Sequence, residues 1–391
     1  MVKQNKSLNI AGSQHSGFPR NLNHVVLSIP SQSAFSFGSQ SIIDFKVKNI
    51  KVHDLTLAFN TSSLTGITAN GTYPILNPAY FWFSKLEILI NNNVIDTIYP
   101  DHQFILSNLY SSDEDRLLNN YSSGSYLSNT SRYTLTNSGG SWYVSLKTLF
   151  NQTHMAILSQ SHEVQIRITM QNLSNLLTLG GLTGTPSVTI NNVQLLARVT
   201  QLDANMSQRL LVEQAKIPRH SLFLQTRYQS FVIQSGVSTS TFVLTGIVGS
   251  IHSLNFILRP TTGLTGSSTY SYTAIKDFQI LDSGGTNING GAVIPSTFNL
   301  TQQQKWWGES TFPAEAFAGT NQSNAYMYSF SVDPASAFKN AQHLTTKLFT
   351  GNEQLIINYV SALSGTYQLD VYALVEQAIE QSNGYVKLVN V

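Results

Sequence analysis

The chain has 391 residues and a net charge of +2, with 11% charged residues and no cysteine. Its length exceeds the size at which one hydrophobic core usually stops growing, so we expect two domains of just under two hundred residues each. Few charged residues argue against a helical bundle, the small net charge gives no overall attraction to nucleic acid or anionic membrane, and the lack of cysteine excludes disulfides and thiolate metal sites.

Residues 1–22 are polar and show no apolar periodicity, which predicts an arm rather than a packed element. No apolar run follows their basic residues, and nowhere do eighteen apolar residues follow one another. Neither a signal peptide nor a membrane span is therefore predicted. In an assembly, such an arm can order against a neighbouring copy.

From Val25 the apolar residues alternate with polar ones, which predicts antiparallel strands with one buried face. The strands predicted in the first half cover residues 25–29, 42–50, 55–59, 142–146, 164–170, 188–190 and 193–199. The polar stretch 111–141 is predicted as a long exposed excursion between two of them.

The strongest strand signal lies at residues 80–99. Four bulky aromatic residues, 80–83, open this stretch, and alternation at Leu86, Ile88 and Ile90 follows. Residues 91–93 are asparagines, which tolerate a left-handed backbone, and a second strand then resumes. The stretch is predicted to be a β-hairpin whose aromatic side chains belong to a core.

Two short helices are predicted. Residues 101–110 space Phe104, Ile105, Asn108 and Leu109 along one helical face. Residues 202–215 have the same kind of period, with Asp203 as the N-cap and Pro218 after the end. The second helix marks the predicted boundary between the two domains.

The second half has strand patterns at residues 221–224, 231–233, 241–244, 254–258, 270–281, 326–332, 355–360 and 369–375. Residues 59–66 and 259–266 are similar at an offset of 200, and an aromatic-led strand follows each of them, at 80–88 and 270–278. These parallels predict an internal duplication. About eight short strands in each half, with long polar connections, are typical of β-sandwiches of the jelly-roll kind.

The predicted fold class is therefore all-β, with two consecutive eight-stranded jelly-roll β-sandwiches and short helices in the connections. The predicted organisation is an N-terminal arm at 1–22, a first jelly roll at 23–201, a helical linker at 202–219 and a second jelly roll at 220–391.

No catalytic, cofactor-binding or metal-ligating residue is predicted. The acidic run 113–115 beside Arg116 is more typical of a solvated helix end or an interface ion-pair network than of a carboxylate pair for hydrolysis. His154 and His162 lie eight residues apart, and no HExxH motif occurs, so a histidine metal site is not expected.

Two glycine-containing stretches and one tryptophan pair are candidate binding elements. Residues 282–285 and 289–291 lack the lysine and the following helix of a phosphate-binding loop, so turns are predicted. Trp306 and Trp307 can stack on a sugar, but packing against a core and a subunit partner is favoured.

Three stretches resemble a known family: residues 80–104 (YFWFSKLEILINNNVIDTIYPDHQF), residues 111–116 (SSDEDR) and residues 369–389, which end the chain with a strand and a glycine-containing closing segment. They are similar to the double jelly-roll major capsid proteins of tailless icosahedral double-stranded DNA viruses, which include adenoviruses, tectiviruses, virophages, polinton-like viruses and giant viruses. The resemblance covers both halves in order and spacing.

The resemblance implies a structural protein of the virion, not an enzyme, without a cofactor. It implies a homotrimer with a pseudo-hexagonal outline that tiles an icosahedral shell, with an arm that faces inward or reaches to a neighbour and with outer loops at 111–141 and 284–324. It further implies penton and minor capsid proteins as partners, an internal membrane or scaffold, no sequence-specific binding of nucleic acid, and synthesis in the host cytoplasm or a replication compartment.

Two alternative functions stay open from the sequence. One is a binding module, either a capsid vertex or spike protein or a carbohydrate-binding β-sandwich that uses Trp306 or Trp307. The other is a glycoside-active β enzyme, which needs a carboxylate pair that the sequence does not reveal.

Overall fold

The computed structural model describes residues 24–69, 79–109, 118–119, 122–124, 129–153, 155–158, 163–177, 182–261, 272–288, 294–295, 324–331, 346–382 and 385–389. Within these ranges the chain is mostly antiparallel strand with a few short helices, as the composition predicted. The N-terminal arm predicted at 1–22 lies outside the described residues.

The first half contains eleven described strands and three α-helices. They are β1 (His24–Pro30), β2 (Gln40–Asp44), β3 (Ile50–Thr61), β4 (Thr65–Ala69), β5 (Phe83–Ile90), β6 (Asn93–Ile98), α1 (Pro100–Leu109), α2 (Asn129–Ser138), β7 (Gly140–Leu146), α3 (Leu149–Thr153), β8 (Ala156–Ile157), β9 (Val164–Met170), β10 (Leu182–Ser187) and β11 (Ile190–Gln201).

Helix α4 (Ala204–Lys216) then leads into the strands of the second half. These are β12 (Arg219–Ile233), β13 (Thr239–Val243), β14 (Val248–Pro260), β15 (Ile275–Leu281), β16 (Ile294–Pro295), β17 (Tyr326–Ser329), β18 (Lys347–Thr350), β19 (Gln354–Tyr359), β20 (Tyr367–Ser382) and β21 (Tyr385–Val389).

The strand order is the same in both halves. In the first half, sheet I has the order β1-β11-β3-β7 and sheet II the order β2-β9-β5-β6. In the second half, sheet III has the order β12-β20-β14-β17 and sheet IV the order β13-β19-β15-β16. Each pair of sheets encloses an apolar core, so each half is an eight-stranded jelly roll with a few additional short strands. The predicted fold class is confirmed.

The two segments compared at an offset of 200 residues occupy equivalent positions in this topology. Residues 59–61 end β3, and residues 259–260 end β14, which are the third strands of sheets I and III. The aromatic-led segments supply β5 and β15, the third strands of sheets II and IV. The internal similarity in sequence therefore corresponds to structural equivalence.

The hairpin predicted at residues 80–99 is present. Strands β5 and β6 pair antiparallel with Ile90 opposite Asn93, so Asn91 and Asn92 form a two-residue turn. Their φ angles are 51° and 64°, in the left-handed region that asparagine tolerates. Trp82 is fully buried and packs between Phe59 and Trp142, with ring centroids 5.0 and 4.9 Å away.

Both predicted helices are also present. Helix α1 buries Phe104, Ile105 and Leu106, and α4 begins after Asp203, whose Oδ1 accepts a hydrogen bond of 2.7 Å from the Met206 amide. This N-cap satisfies a backbone N–H group that would otherwise lack an intrahelical partner.

Some predicted element boundaries were wrong. Strand β2 ends at Asp44 instead of continuing to Ile50, because the chain crosses there from sheet II to sheet I and Asn49 takes a positive φ of 58°. Residues 219–233 form one continuous strand instead of two. Within the stretch predicted as an exposed excursion, residues 129–138 form α2 and Thr136 is buried.

Strands β12 and β20 are 15 and 16 residues long and extend beyond the second core. Their far ends carry Phe223 and Ile379 into the core of the first jelly roll, together with Val386 of β21. The two jelly rolls are therefore joined through shared core residues as well as through α4.

Candidate assembly surface and the joint between the jelly rolls

Most of the candidate chemical sites that the sequence offers lie outside the described residues. This holds for the acidic run 113–115 with Arg116, His154, His162, residues 289–291, and the Trp306 and Trp307 pair. The predictions about them, and the prediction that no catalytic, cofactor or metal residue exists, therefore stay predictions.

The turn predicted at residues 282–285 is described, and it is confirmed. The Asp282 carboxylate accepts hydrogen bonds from the amides of Gly284 and Thr286, at 2.9 and 2.8 Å. Gly285 takes a φ of 81°, which an L side chain rarely adopts. This geometry closes a turn after β15.

The described part of the chain lacks a metal-binding cluster and a membrane-spanning helix. It contains no group of three or more His, Asp or Glu side chains arranged to hold a metal ion. None of its helices is long and apolar enough to cross a membrane.

The joint between the jelly rolls is formed by α1 and the outer face of sheet III. Side chains of sheet III alternate, so Leu254, Phe256 and Leu258 enter the second core while Asn255, Ile257 and Arg259 face the first jelly roll. Ile105 and Leu106 of α1 are buried there in an apolar cluster whose other members are Leu224, Ile257, Tyr272, Ala325, Met327, Tyr372 and Leu374.

A buried ionic cluster lies at the edge of this apolar contact. Arg259 pairs with Asp101 of α1 through Nη1 and Oδ2, 3.2 Å apart, and its Nη2 donates to Asp370 of β20. The Tyr272 hydroxyl donates to Asp101, and the Tyr228 hydroxyl donates to Asp370 at 2.7 Å. One guanidinium therefore connects a carboxylate of the first jelly roll to a carboxylate of the second.

Burial and charge pairing oppose each other in this cluster. Burial raises the pKa of the Asp101 carboxyl, and its contacts with Arg259 and Tyr272 oppose that rise. Burial alone would lower the pKa of Arg259, but Asp101 and Asp370 outweigh it and hold this pKa well above its usual value. Arg259 therefore remains a cation that neutralises the buried acids.

His102 occupies the centre of the joint. Its ring stacks on Tyr372 with centroids 5.0 Å apart and planes 2° from parallel. Its Nδ1 lies 3.1 Å from the Thr226 hydroxyl, and its Nε2 lies 3.2 Å from the Asn255 amide nitrogen. Burial lowers the pKa of His102 to about 3, so the imidazole is neutral at physiological pH.

Amide side chains cover part of the β12 edge. Gln152 of α3 donates to the Leu224 carbonyl at 3.3 Å and accepts from the Leu224 amide at 2.7 Å, so it replaces a neighbouring strand at that position. Gln225 donates to the Ile95 carbonyl of β6 at 2.7 Å. These bonds prevent open backbone groups at the joint, where an unpaired edge would be costly.

The outer face of sheet I is equivalent to the covered face of sheet III, but solvent reaches it. Val26 of β1 is 65% exposed and Tyr143 of β7 is 41% exposed. Arg198 of β11 pairs with Asp54 of β3 on this face, and the Arg198 side chain is 64% exposed. The outer face of sheet I is therefore exposed, whereas the equivalent face of sheet III is buried within the chain.

The sequence interpretation missed the ionic cluster. Asp101, Arg259 and Asp370 are far apart in the chain, and no local motif connects them. The one available signal was a charged residue inside a long apolar strand: Asp370 interrupts the run 369–375. A buried charge in such a run needs a partner.

The fold is shared with viral capsid proteins of known structure. A chain of the PBCV-1 virus capsid is 17% identical, with 97% of this chain and 99% of that chain covered and a TM-score of 0.69. The Faustovirus major capsid protein is 10% identical, with 95% and 93% covered and a TM-score of 0.67. A chain from the Sputnik virophage is 11% identical, with 100% and 93% covered and a TM-score of 0.61.

At identities this low the similarity shows the fold alone, and the fold of this chain is the double jelly roll. No curated protein sequence matches the chain. Residues 18–211, however, match the family described as the major capsid protein N-terminus. The chain belongs to the major capsid protein family, whose members are structural proteins of the virion shell and not enzymes. The family predicted from the sequence is confirmed.

Proposed function

We propose that three copies of this chain close a ring of six jelly rolls, and that these homotrimers, pseudo-hexagonal in outline, tile the icosahedral shell of a tailless double-stranded DNA virus. The observation that carries the proposal is the joint itself. Within one chain, a first jelly roll binds the outer face of the next roll's sheet III.

The equivalence of the two jelly rolls extends this contact beyond one chain. Because sheets I and III have the same strand order, the outer face of sheet I can accept a second jelly roll as sheet III accepts the first. Such a head-to-tail contact is heterologous. Repeating it closes a ring only when a whole number of equal rotations makes one full turn. A ring of six jelly rolls, with two jelly rolls in each chain, contains three chains.

The exposed face has the composition of a protein interface. Val26 and Tyr143 supply apolar and aromatic area, and the Arg198 and Asp54 pair supplies polar complementarity. The chain as a whole carries few charges, so little charge has to be desolvated when copies associate.

Mass measurement on the purified protein tests the trimer. We expect a particle of about 130 kDa, three times the 43.1 kDa of one chain, with a hexagonal outline in electron micrographs. A monomer at all concentrations, or a pentamer, would contradict the proposal. A pentamer would favour the alternative of a vertex protein.

A pair of matched variants tests the surface. Val26→Asp places a charge on the outer face of sheet I, and we expect it to shift the mass to that of a monomer. Val360→Asp is the control, because Val360 is 67% exposed and Val26 is 65% exposed, but Val360 follows β19 in sheet IV. Equal masses for the two variants would show that this face of sheet I is not the contact.

The N-terminal arm is proposed to act between trimers or on the inner side of the shell. Deletion of residues 1–20 should leave the trimer mass unchanged and weaken assembly into larger particles, which electron microscopy can count. Loss of the trimer itself would contradict this role. Penton and minor capsid proteins, and an internal membrane or a scaffold, are proposed as further partners, and no sequence-specific binding of nucleic acid is expected.

The proposed organisation keeps the four segments 1–22, 23–201, 202–219 and 220–391. The two separate apolar cores support it, since the first is formed mainly from β1 to β11 and the second from β12 to β20. Of the proposed outer loops, 111–141 is described at residues 118–119, 122–124 and 129–141, and most of 284–324 lies outside the described residues. Synthesis in the host cytoplasm or a replication compartment is part of the same proposal.

A further inference from the structure

Basic side chains converge on the outer face of sheet I near the start of β1. Across the sheet, His24 of β1 lies opposite Thr200 of β11, and Thr200 lies opposite Lys51 of β3. The Thr200 hydroxyl is 3.0 Å from His24 Nδ1 and 2.7 Å from His53 Nε2. Two imidazoles whose ring centroids are 5.9 Å apart therefore surround one hydroxyl.

Arg219, the first residue of β12, lies opposite Gln381 of β20, whose side chain donates to the Ala156 carbonyl, and Ala156 lies opposite Lys51. Arg219 therefore adds a second basic side chain to this group. Burial lowers the pKa of Lys51, and the positive charge of Arg219 lowers it further. Two cations close enough to disfavour each other make the local potential positive. The ion pair between Arg219 and Glu213 is long, at 3.9 Å, and both side chains are partly exposed.

The sequence that precedes this group is basic. Residues 1–23 contain Lys3, Lys6 and Arg20 and no acidic residue, and they run directly into His24. The nearest carboxylate along β3, that of Asp54, is engaged by Arg198 and by the Asn151 amide.

The donors in this group match one class of ligand. A tetrahedral oxyanion accepts several hydrogen bonds at once, and it is attracted by ammonium and guanidinium groups. A protonated imidazole donates from both nitrogens, and a hydroxyl can turn its hydrogen toward an acceptor. A metal cation, by contrast, would be repelled by Lys51 and Arg219.

We infer that His24, Lys51, His53, Thr200 and Arg219, together called the basic cluster, form a binding site for a phosphate-type oxyanion. The site lies where β1 and β3 begin, on either side of Thr200, and Arg219 is the first residue of β12. It goes beyond the proposed function: every member belongs to one chain, and His24 lies two residues from Val26, at the margin of the face proposed for the trimer contact.

Phosphorus NMR with inorganic phosphate tests the site on the full-length protein. We expect the phosphate signal to broaden as protein is added, in proportion to the bound fraction. Lys51→Met should weaken binding by roughly tenfold, as expected for the loss of one charged hydrogen-bond donor. Lys387→Met is the matched control. Lys387 lies on β21 and pairs with Glu380 at 3.1 Å, so its replacement should leave phosphate binding unchanged.

Two further measurements check that the variant is folded and identify the source of the phosphate group. If thermal unfolding shows that Lys51→Met is poorly folded, His53→Gln takes its place, with the same expected direction. A short-chain phosphatidic acid, compared with inorganic phosphate, distinguishes a lipid headgroup from free phosphate, and Lys51-dependent binding of either supports the site. Broadening that is absent, or equal in the Lys51 and Lys387 variants, would overturn the inference.

Discussion

The outer faces of sheets I and III have the same strand order and opposite surroundings. Sheet III is covered by α1 and carries Arg259 between Asp101 and Asp370, with the Asp370 side chain fully buried. Sheet I is open and carries Arg198 beside Asp54, which keeps 37% of its side chain exposed. The same residue types therefore make an arginine–aspartate pair in two different dielectric environments.

The difference in burial determines how much each arginine–aspartate pair contributes to stability. An exposed pair is screened by water and is worth little, whereas a buried charge that loses its partner keeps its full desolvation cost. The Arg259 cluster should therefore act as a requirement for docking the two jelly rolls. The Arg198 pair should matter mainly when another molecule covers it.

The largest expected effect is that of Arg259→Met. The variant leaves Asp101 and Asp370 buried without their cation, so the free energy of unfolding should fall by about 3–5 kcal/mol. Denaturant unfolding of the purified protein, followed by tryptophan fluorescence, measures the change.

Arg198→Met is the matched control for this experiment. Its partner Asp54 is partly exposed in one chain, so the loss of stability of the isolated chain should stay below about 1 kcal/mol. Similar losses in the two variants would mean that burial does not distinguish the two faces. The triple variant Arg259→Met, Asp101→Asn and Asp370→Asn should recover part of the loss, because it removes the uncompensated charges.

The covered side of the joint also contains a lone acid. Asp96 of β6 is buried, and its Oδ2 accepts a hydrogen bond of 3.2 Å from the Leu149 amide at the start of α3. Burial raises the pKa of Asp96 to about 7 from an ordinary value of 3.8, against the opposing effect of the Leu149 and Thr97 amides. The folded protein then holds a proton that the unfolded chain releases.

This raised pKa fixes the sign of a pH dependence. Between pH 3.8 and about 7 the unfolded state binds fewer protons than the folded state, so Asp96 makes the free energy of unfolding fall as pH rises. Over the whole window its contribution is about 4 kcal/mol. Asp96→Asn removes this contribution and keeps an acceptor for Leu149, so the variant should gain stability relative to the parent as pH rises. A difference that is the same at pH 4.5 and pH 8 would contradict the prediction.

The sequence was sufficient for most of the strands, because alternation at positions such as Leu86, Ile88 and Ile90 depends only on local burial. It failed at residues 45–49, where the alternating pattern continues although the backbone leaves sheet II at Asp44. Alternation reports which side chains face inward, and it does not report which sheet supplies the hydrogen bonds.

The joint was beyond local reasoning for a different reason. Asp101 and Asp370 are 269 positions apart, and only the relative placement of two jelly rolls brings both to Arg259. Likewise, the predicted face of α1 included Ile105, but its partners on sheet III could not be named. Contacts between domains depend on the docked arrangement, which no single segment encodes.

The smallest effect concerns the amides at the two faces. Gln152 makes two hydrogen bonds with the backbone of Leu224 at the covered edge of β12, at 3.3 and 2.7 Å. Gln152→Leu leaves a donor and an acceptor of Leu224 without these partners, which should cost about 2 kcal/mol. Denaturant unfolding again measures the loss.

Gln194→Leu makes the corresponding change on the open face of sheet I, where Gln194 accepts a hydrogen bond from the Ser28 side chain. Water can replace that bond, so the stability of the isolated chain should change by no more than about 0.5 kcal/mol. If the trimer buries this face, as proposed, the same substitution should weaken association more than it weakens folding. A Gln194 variant as destabilised as the Gln152 variant in the monomer would show that the two faces are equally covered before assembly, and the contrast between them would fail.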